Sequence, residues 1–142
     1  NKKIENNVTK LIAEENKFGI KKFETYKKFG EKVYKIRENI LKNFGKLKKS
    51  HKKIIGYGAP AKATTILNYF GLSDNEIQLT LDDNSLKHNK IIPGTNIEIF
   101  KPSDLKTSKK IDYIIVLAWN FYDQIKEKMQ PVFPDAKFIK LK

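Results

Sequence analysis

The 142-residue chain has no cysteine and only two histidines, one arginine, one tryptophan and one methionine. Without cysteine there is no disulfide, no thiolate nucleophile and no Cys-type zinc site, and His51 and His88 leave little for a transition-metal centre. Metal catalysis within the chain is therefore not expected. No apolar run approaches the roughly 18 residues that span a bilayer, and no basic, apolar, small-residue series resembles a signal peptide. A cytoplasmic protein with no membrane contact is the expectation. The sequence also lacks an initiating methionine, and it opens on residues that already look helical, so a fragment of a longer protein is expected.

Charge of one sign is scarce in a particular way. The net charge is +13, and of the 29 Lys plus Arg and 16 Asp plus Glu, residues 1–53 hold 17 and 6, a net of +11. The basic excess thus precedes the segment with alternating strand and helix patterns. Lysine dominates, Arg37 stands alone, and the aromatics of this half fall at core-like spacing and not as a stacking ladder. A solvated helix face explains this better than nucleic-acid binding, which is not expected; a phosphate-bearing small ligand or an acidic partner is the other use for such charge.

In "KKIENNVTKLIAEENKFG", Ile4, Val8, Leu11 and Ile12 recur at helical spacing, with Gly19 as the stop. A longer amphipathic helix follows, in which Phe29, Val33, Ile36, Ile40, Phe44 and Leu47 form one stripe. Gly30 and Gly45 weaken it by about 1 kcal/mol each relative to alanine. From Lys52 the period changes: strands are predicted at 53–57, 77–83, 95–100, 112–119 and 137–141, helices at 59–71 and 121–130, and a short helical turn at 102–105. Strand alternating with helix, and strands too apolar to leave one face wet, predict a parallel sheet covered on both sides. The expected architecture is a small Rossmann-like, doubly wound α/β domain with a mostly parallel sheet over residues 51–142, preceded by a helical extension over residues 1–50.

Three clusters carry candidate chemistry. In "KKIIGYGAPAK", Gly56 and Gly58 follow the first strand, where glycines allow a sharp turn and close approach of a ligand to the amides of the next helix, a setting that favours an anion. Ala61 stands at the third glycine position of the dinucleotide fingerprint, where a small residue suffices. Lys62 lies one turn into the helix, within reach of a phosphate or carboxylate, and Thr64, Thr65 and Asn68 are polar on the same helix. A tight turn that binds nothing, and an ordinary surface lysine, are the competing readings. In "LDDNSLKHNKIIPGT", Asp82 and Asp83 lie 26 and 27 residues after Gly56, beyond the usual distance of about 20 for a ribose-binding acid. They and Asn84 either present polar groups at the carboxyl edge of the sheet or cap a turn, and His88 is either a proton shuttle or simply exposed. In "VLAWNFYDQI", Trp119 either walls a pocket or belongs to the core, and Asn120 is an N-cap, a ligand contact or both. No Ser-His-Asp order, HExxH or Walker lysine motif is present, and no residue is assigned a catalytic or metal-binding role.

Read in order, "GYGAPAKATTILNYFGL", "LDDNSLKHNKIIPGTNIEIF" and "DYIIVLAWNFYDQI" resemble the C-terminal domain of the S-adenosylmethionine-dependent sugar C-methyltransferases, and "LIAEENKFGIKKFETYKKFGEKV" resembles the helical connection before it. The resemblance covers nearly the whole chain, with Ala63 where the family often has glycine. It implies a domain that binds a nucleotide-linked deoxysugar while an upstream domain of the same protein, absent here, holds S-adenosylmethionine and the proton-abstracting residues. No cofactor is then expected on this chain, and alone it is expected to be inactive. The resemblance places Gly56, Tyr57, Gly58, Ala59 and Lys62, with Thr65 and Asn68 on the same helix, around the phosphate or sugar. Asp82, Asn84, Pro93, Gly94 and Thr95 form the opposite wall, and Trp119 and Asn120 close the mouth. A free-standing nucleotide or dinucleotide module, or a basic protein whose long helix docks a partner, are the alternatives.

Overall fold

A computed structural model describes residues 6–105 and 110–140. The chain forms two compact units, Asn1–Asn39 and Ile40–Lys142. Helix α1 spans Asn6–Phe18 and α2 spans Phe23–Lys49. Between them Gly19 stops α1 and accepts a hydrogen bond at its carbonyl from Thr25 Oγ1 (2.8 Å). Ile4 of the predicted first helix lies outside the described residues. In the first unit no residue of α1 is buried, and Leu11, Ile12, Phe18, Phe23 and Phe29 are exposed. In the second unit the last turns of α2 bury Phe44, with Ile40 and Leu47 partly covered.

The second unit contains β1 (Ile54–Tyr57), α3 (Ala61–Phe70), β2 (Thr80–Leu81), β3 (Ile99–Phe100), β4 (Tyr113–Val116), α4 (Tyr122–Met129) and β5 (Lys137–Lys140). The sheet order is β3-β2-β1-β4-β5, and every neighbouring pair is parallel. The α/β expectation holds, with a sheet that is parallel throughout. All of β1 and three of the four residues of β4 are buried, as central parallel strands covered on both faces require.

Alternation along the strands sends Ile55, Tyr57, Ile114 and Val116 to one face, where they pack with Ile125 and Met129 of α4 and with Phe133. The right-handed crossover from β1 to β2 puts α3 on the other face, burying Ala63, Leu67 and Phe70. Each such large aliphatic side chain removed from water contributes roughly 1.5–3 kcal/mol. The succession of strands runs outward from β1 to β3 on one side and from β4 to β5 on the other, so the crevice between the carboxyl ends of β1 and β4 is where a doubly wound sheet offers a ligand site.

Three strands are much shorter than expected: β4 ends at Val116, not at Trp119, and β2 and β3 keep two residues each. Hydrogen bonds to β1 begin at Gln78 N–H, which donates to Ile54 (3.0 Å), yet Ile77 still closes a turn onto Ser73 (2.9 Å). Residues 95–98 belong to a hairpin-like loop, with Ile92 N–H donating to Ile97 O (2.9 Å) and Ile99 N–H to Lys90 O (2.8 Å). Its tip closes through Thr95 N–H to Ile92 O (3.2 Å), with Pro93 and Gly94 at the central positions that a type II turn prefers. The apolar run "TNIEIF" therefore serves a turn before it serves the sheet. Leu141 of the predicted last strand lies outside the described residues.

Candidate functional site

The glycine turn is dictated by crowding. A Cβ on Gly56 would lie 2.6 Å from Thr80 Oγ1, and one on Gly58, whose φ is +88°, would lie 2.7 Å from Ala118 Cβ. The backbone leaving β1 can pass the end of β4 only without a side chain and in the left-handed region, which glycine enters without penalty. Thr80 Oγ1 donates to Gly58 O (3.2 Å), and Gly58 N–H donates to Leu81 O (2.6 Å). Helix α3 then starts from Pro60 with no side-chain cap.

Asp82 holds this turn. Its carboxylate is almost fully buried and accepts from Ala59 N–H (2.6 Å), Asn84 N–H (2.8 Å) and Lys87 Nζ (3.0 Å). Burial works to raise its pKa. The hydrogen bonds from Asn84, Lys87 and Ala59 outweigh that penalty and hold it below the ordinary carboxylate value. Its carbonyl accepts from His88 Nε2–H (2.7 Å), so His88 belongs to the scaffold of this loop. Asn84 caps the short turn Ser85–Lys87 by accepting from Leu86 N–H (3.0 Å), the capping alternative weighed for it.

The next residue faces outward. Asp83 accepts from Tyr57 Oη–H (2.9 Å) and pairs with Lys128 Nζ (2.5 Å) of α4. Burial is the largest influence on Tyr57, pushing its phenol up; Lys128 works against that and Asp83 with it. The hydrogen bond to Asp83 raises the Lys128 ammonium. These groups border a cleft of about 300 Å³ between the ends of β1 and β2 and the face of α4, lined by Tyr57, Gly58, Asp82, Asp83 and Ala118 from the sheet side and Phe121, Gln124, Ile125 and Lys128 from α4.

At the same switch point Lys62 Nζ sits 4.0 Å above the centre of the Trp119 ring, a cation–π contact. Among the described residues no carboxylate pairs with Lys62. Trp119, Asn120 and Phe121 form a helical turn ahead of α4, whose N-cap is Phe121 and carries no side-chain hydrogen bond. The expected cap role of Asn120 is thus not realised: α4 begins two residues later, and Asn120 lies exposed inside the preceding turn.

The remaining candidates serve the loop beyond β2. Asn68 Nδ2 donates to Thr64 O (2.8 Å) and Pro93 O (2.9 Å), fastening the Pro93–Gly94 turn to α3. Thr95 is buried, donating to Ile92 O (2.8 Å) and accepting from Ile97 N–H (3.2 Å). Thr65 is exposed on α3. The structure therefore brings Tyr57, Gly58 and Asp82 to the cleft, with Gly56 and Ala59 shaping its turn, while Lys62 and Trp119 contact each other and do not line it. Asn68, Asn84, Pro93, Gly94 and Thr95 instead build the adjoining loop.

Phe121, Gln124, Ile125 and Lys128 were missed by sequence reasoning. Their spacing of three, four and seven residues is one face of a helix, a signal that becomes usable only once the strand before α4 is placed. Among the described residues no group of three or more His, Asp or Glu could hold a metal ion.

The parallel, doubly wound sheet with a glycine turn after its first strand defines a Rossmann-like α/β domain. Residues 1–140 match the family model of the C-methyltransferase C-terminal domain, and the chain belongs to that family. It is 34% identical over 118 residues to the C-methyltransferase NovU of Streptomyces niveus, a match covering 83% of this chain and 28% of that protein. The chain thus spans less than a third of the length of this curated relative. Methyltransferases of this family imply S-adenosylmethionine.

Proposed function

We propose that this chain is the substrate-binding domain of a C-methyltransferase acting on a nucleotide-linked keto-deoxysugar. Residues 51–142 form the binding domain, and residues 1–50 connect it to an upstream domain that holds S-adenosylmethionine, the supplier of the methyl group. The exposed apolar residues of the helical unit, Leu11, Ile12, Phe18 and Phe23, support such a partner. In the whole enzyme a base removes a proton from the carbon next to the sugar ketone, and that carbon takes the methyl group. This chain's share is alignment: it holds the nucleotide end so that the sugar projects to the other domain. Among the described residues no helix is long and apolar enough to cross a membrane, and a cytoplasmic location suits a soluble nucleotide-sugar.

The observation that carries this reading is Lys62, an ammonium without a carboxylate partner, laid on Trp119 at the mouth of the β1/β4 crevice. Phosphate oxygens supply the charge it lacks. Calorimetry with a nucleoside-diphosphate hexose tests it: Lys62→Ala is expected to weaken binding about tenfold, about 1.4 kcal/mol, and Gly58→Val to abolish it. Binding unchanged by both substitutions removes the mechanism and favours a partner-docking protein. Recovery of binding with NAD instead of a nucleotide-sugar favours a free-standing dinucleotide module.

A further inference from the structure

We propose that the cleft between the ends of β1 and β2 and the face of α4 is the nucleobase subsite of this domain, with Phe121 and Gln124 deciding its affinity and Asp83 and Lys128 meeting the hydrogen-bonding edge of the base. The proposal rests on the nucleotide-sugar reading and adds to it where the base lies and what recognises it.

Four observations support the assignment. First, the cleft is lined by Ala118 and Phe121, and Trp119, which carries Lys62 on its ring, lies between them in sequence, so the apolar cleft and the cation lie on neighbouring parts of one segment. Second, its volume of about 300 Å³ is at the lower end for small-molecule sites, room for one nucleoside-sized unit. Third, its walls suit a planar ring. Tyr57 and Ile125 are buried behind it, while Phe121 stands on its rim, 59% exposed and without a protein partner over its ring among the contacts described.

Fourth, the two aspartates at the end of β2 have divided their work. A doubly wound nucleotide site normally uses an acid here to receive ligand hydroxyls. Asp82 is not available for that, since its carboxylate is occupied by Ala59, Asn84 and Lys87. Asp83 is: its side chain is 58% exposed and Lys128's is 52% exposed, and the pair sits at the opening beside the amide of Gln124. Carboxylate, ammonium and amide together offer acceptor, donor and both, the set needed for the polar edge of a heterocycle. Such an exposed ion pair is weakly held, so a ligand can insert between its partners.

The test is calorimetric titration of the chain with UDP, TDP, GDP and inorganic pyrophosphate, repeated for Phe121→Ala and Gln124→Trp. Both positions are exposed, and far-UV circular dichroism verifies that each variant is folded. At least one nucleoside diphosphate is expected to bind more tightly than pyrophosphate. Phe121→Ala should weaken that nucleotide about tenfold through lost stacking, and Gln124→Trp should weaken it further by filling the cleft. Pyrophosphate affinity should change for neither. If both variants bind the nucleotide as the parent does while Lys62→Ala weakens it, the base lies elsewhere and this inference falls while the proposed function stands. If the parent binds no nucleoside diphosphate, the proposed function itself falls.

Discussion

Removing the Asp82 carboxylate is expected to loosen the glycine turn without touching the hydrophobic core. Asp82→Ala leaves the amides of Ala59 and Asn84 without the acceptor they reach at 2.6 and 2.8 Å, and leaves Lys87 unpaired. A hydrogen bond to a charged group contributes about 1.5–3 kcal/mol. Asn84 can regain water, being exposed, so its share belongs at the low end. The Lys87 ammonium is about one-third exposed, and its pair adds less than about 1 kcal/mol. Together these give a loss of about 3 kcal/mol, a large part of the 5–15 kcal/mol typical of a domain. Urea denaturation followed by circular dichroism reads this as a midpoint lower by roughly 2 M, taking a slope of about 1.5 kcal/mol/M. Because the folded pKa of Asp82 lies below its unfolded value, its stabilisation is complete above the unfolded pKa of about 3.9 and is lost as pH falls through the lower folded value. The parent should therefore lose more stability than Asp82→Asn on acidification below about pH 4. A Asp82→Ala midpoint within 0.3 M of the parent, or identical acid profiles for parent and Asp82→Asn, refutes the clamp.

Other substitutions separate crowding from openness. Gly58→Ala should cost about 3 kcal/mol, combining a left-handed φ with a Cβ driven onto Ala118, read as a lower thermal midpoint. Gly45→Ala, in the last turns of α2 with nothing within 4 Å of the added Cβ, should instead raise stability by up to about 0.8–1 kcal/mol. Asn68→Ala should cost about 1 kcal/mol and speed amide exchange around Pro93–Thr95, since it unfastens that turn from α3.

The strand-helix alternation from Lys52 onward was legible because periods of two and 3.6 depend only on which residues are apolar. Isoleucine, valine and tyrosine fill β1 and β4 so densely that only a sheet covered on both faces accommodates them. Strand ends were less legible. "IQLTLDD" and "TNIEIF" look like strands by composition, but the hairpin-like loop at Lys90–Ile99 competes for the same backbone groups. Within the site, Lys62 and Trp119 were each visible as candidates, yet no spacing rule connects residues 57 positions apart. Asp82 and Asp83 were indistinguishable as letters; only the folded loop after β2 sets Asp82 on the Ala59 and Asn84 amides and leaves Asp83 exposed.

The amino-acid order by itself determined the α/β class, the position of the glycine turn, the absence of thiol chemistry and the family, since each depends on local pattern or on motifs kept in order. Tertiary structure alone decided which polar groups are spent on the scaffold and which remain free. Asp82, Asn84, Asn68 and Thr95 satisfy backbone groups of the loops, while Asp83 and Lys128 form an exposed pair at the cleft and Lys62 lies on Trp119 without a carboxylate partner. The reason is physical: a buried hydrogen bond is settled by where distant backbone passes, and that is set only when the strand order puts β1 between β2 and β4.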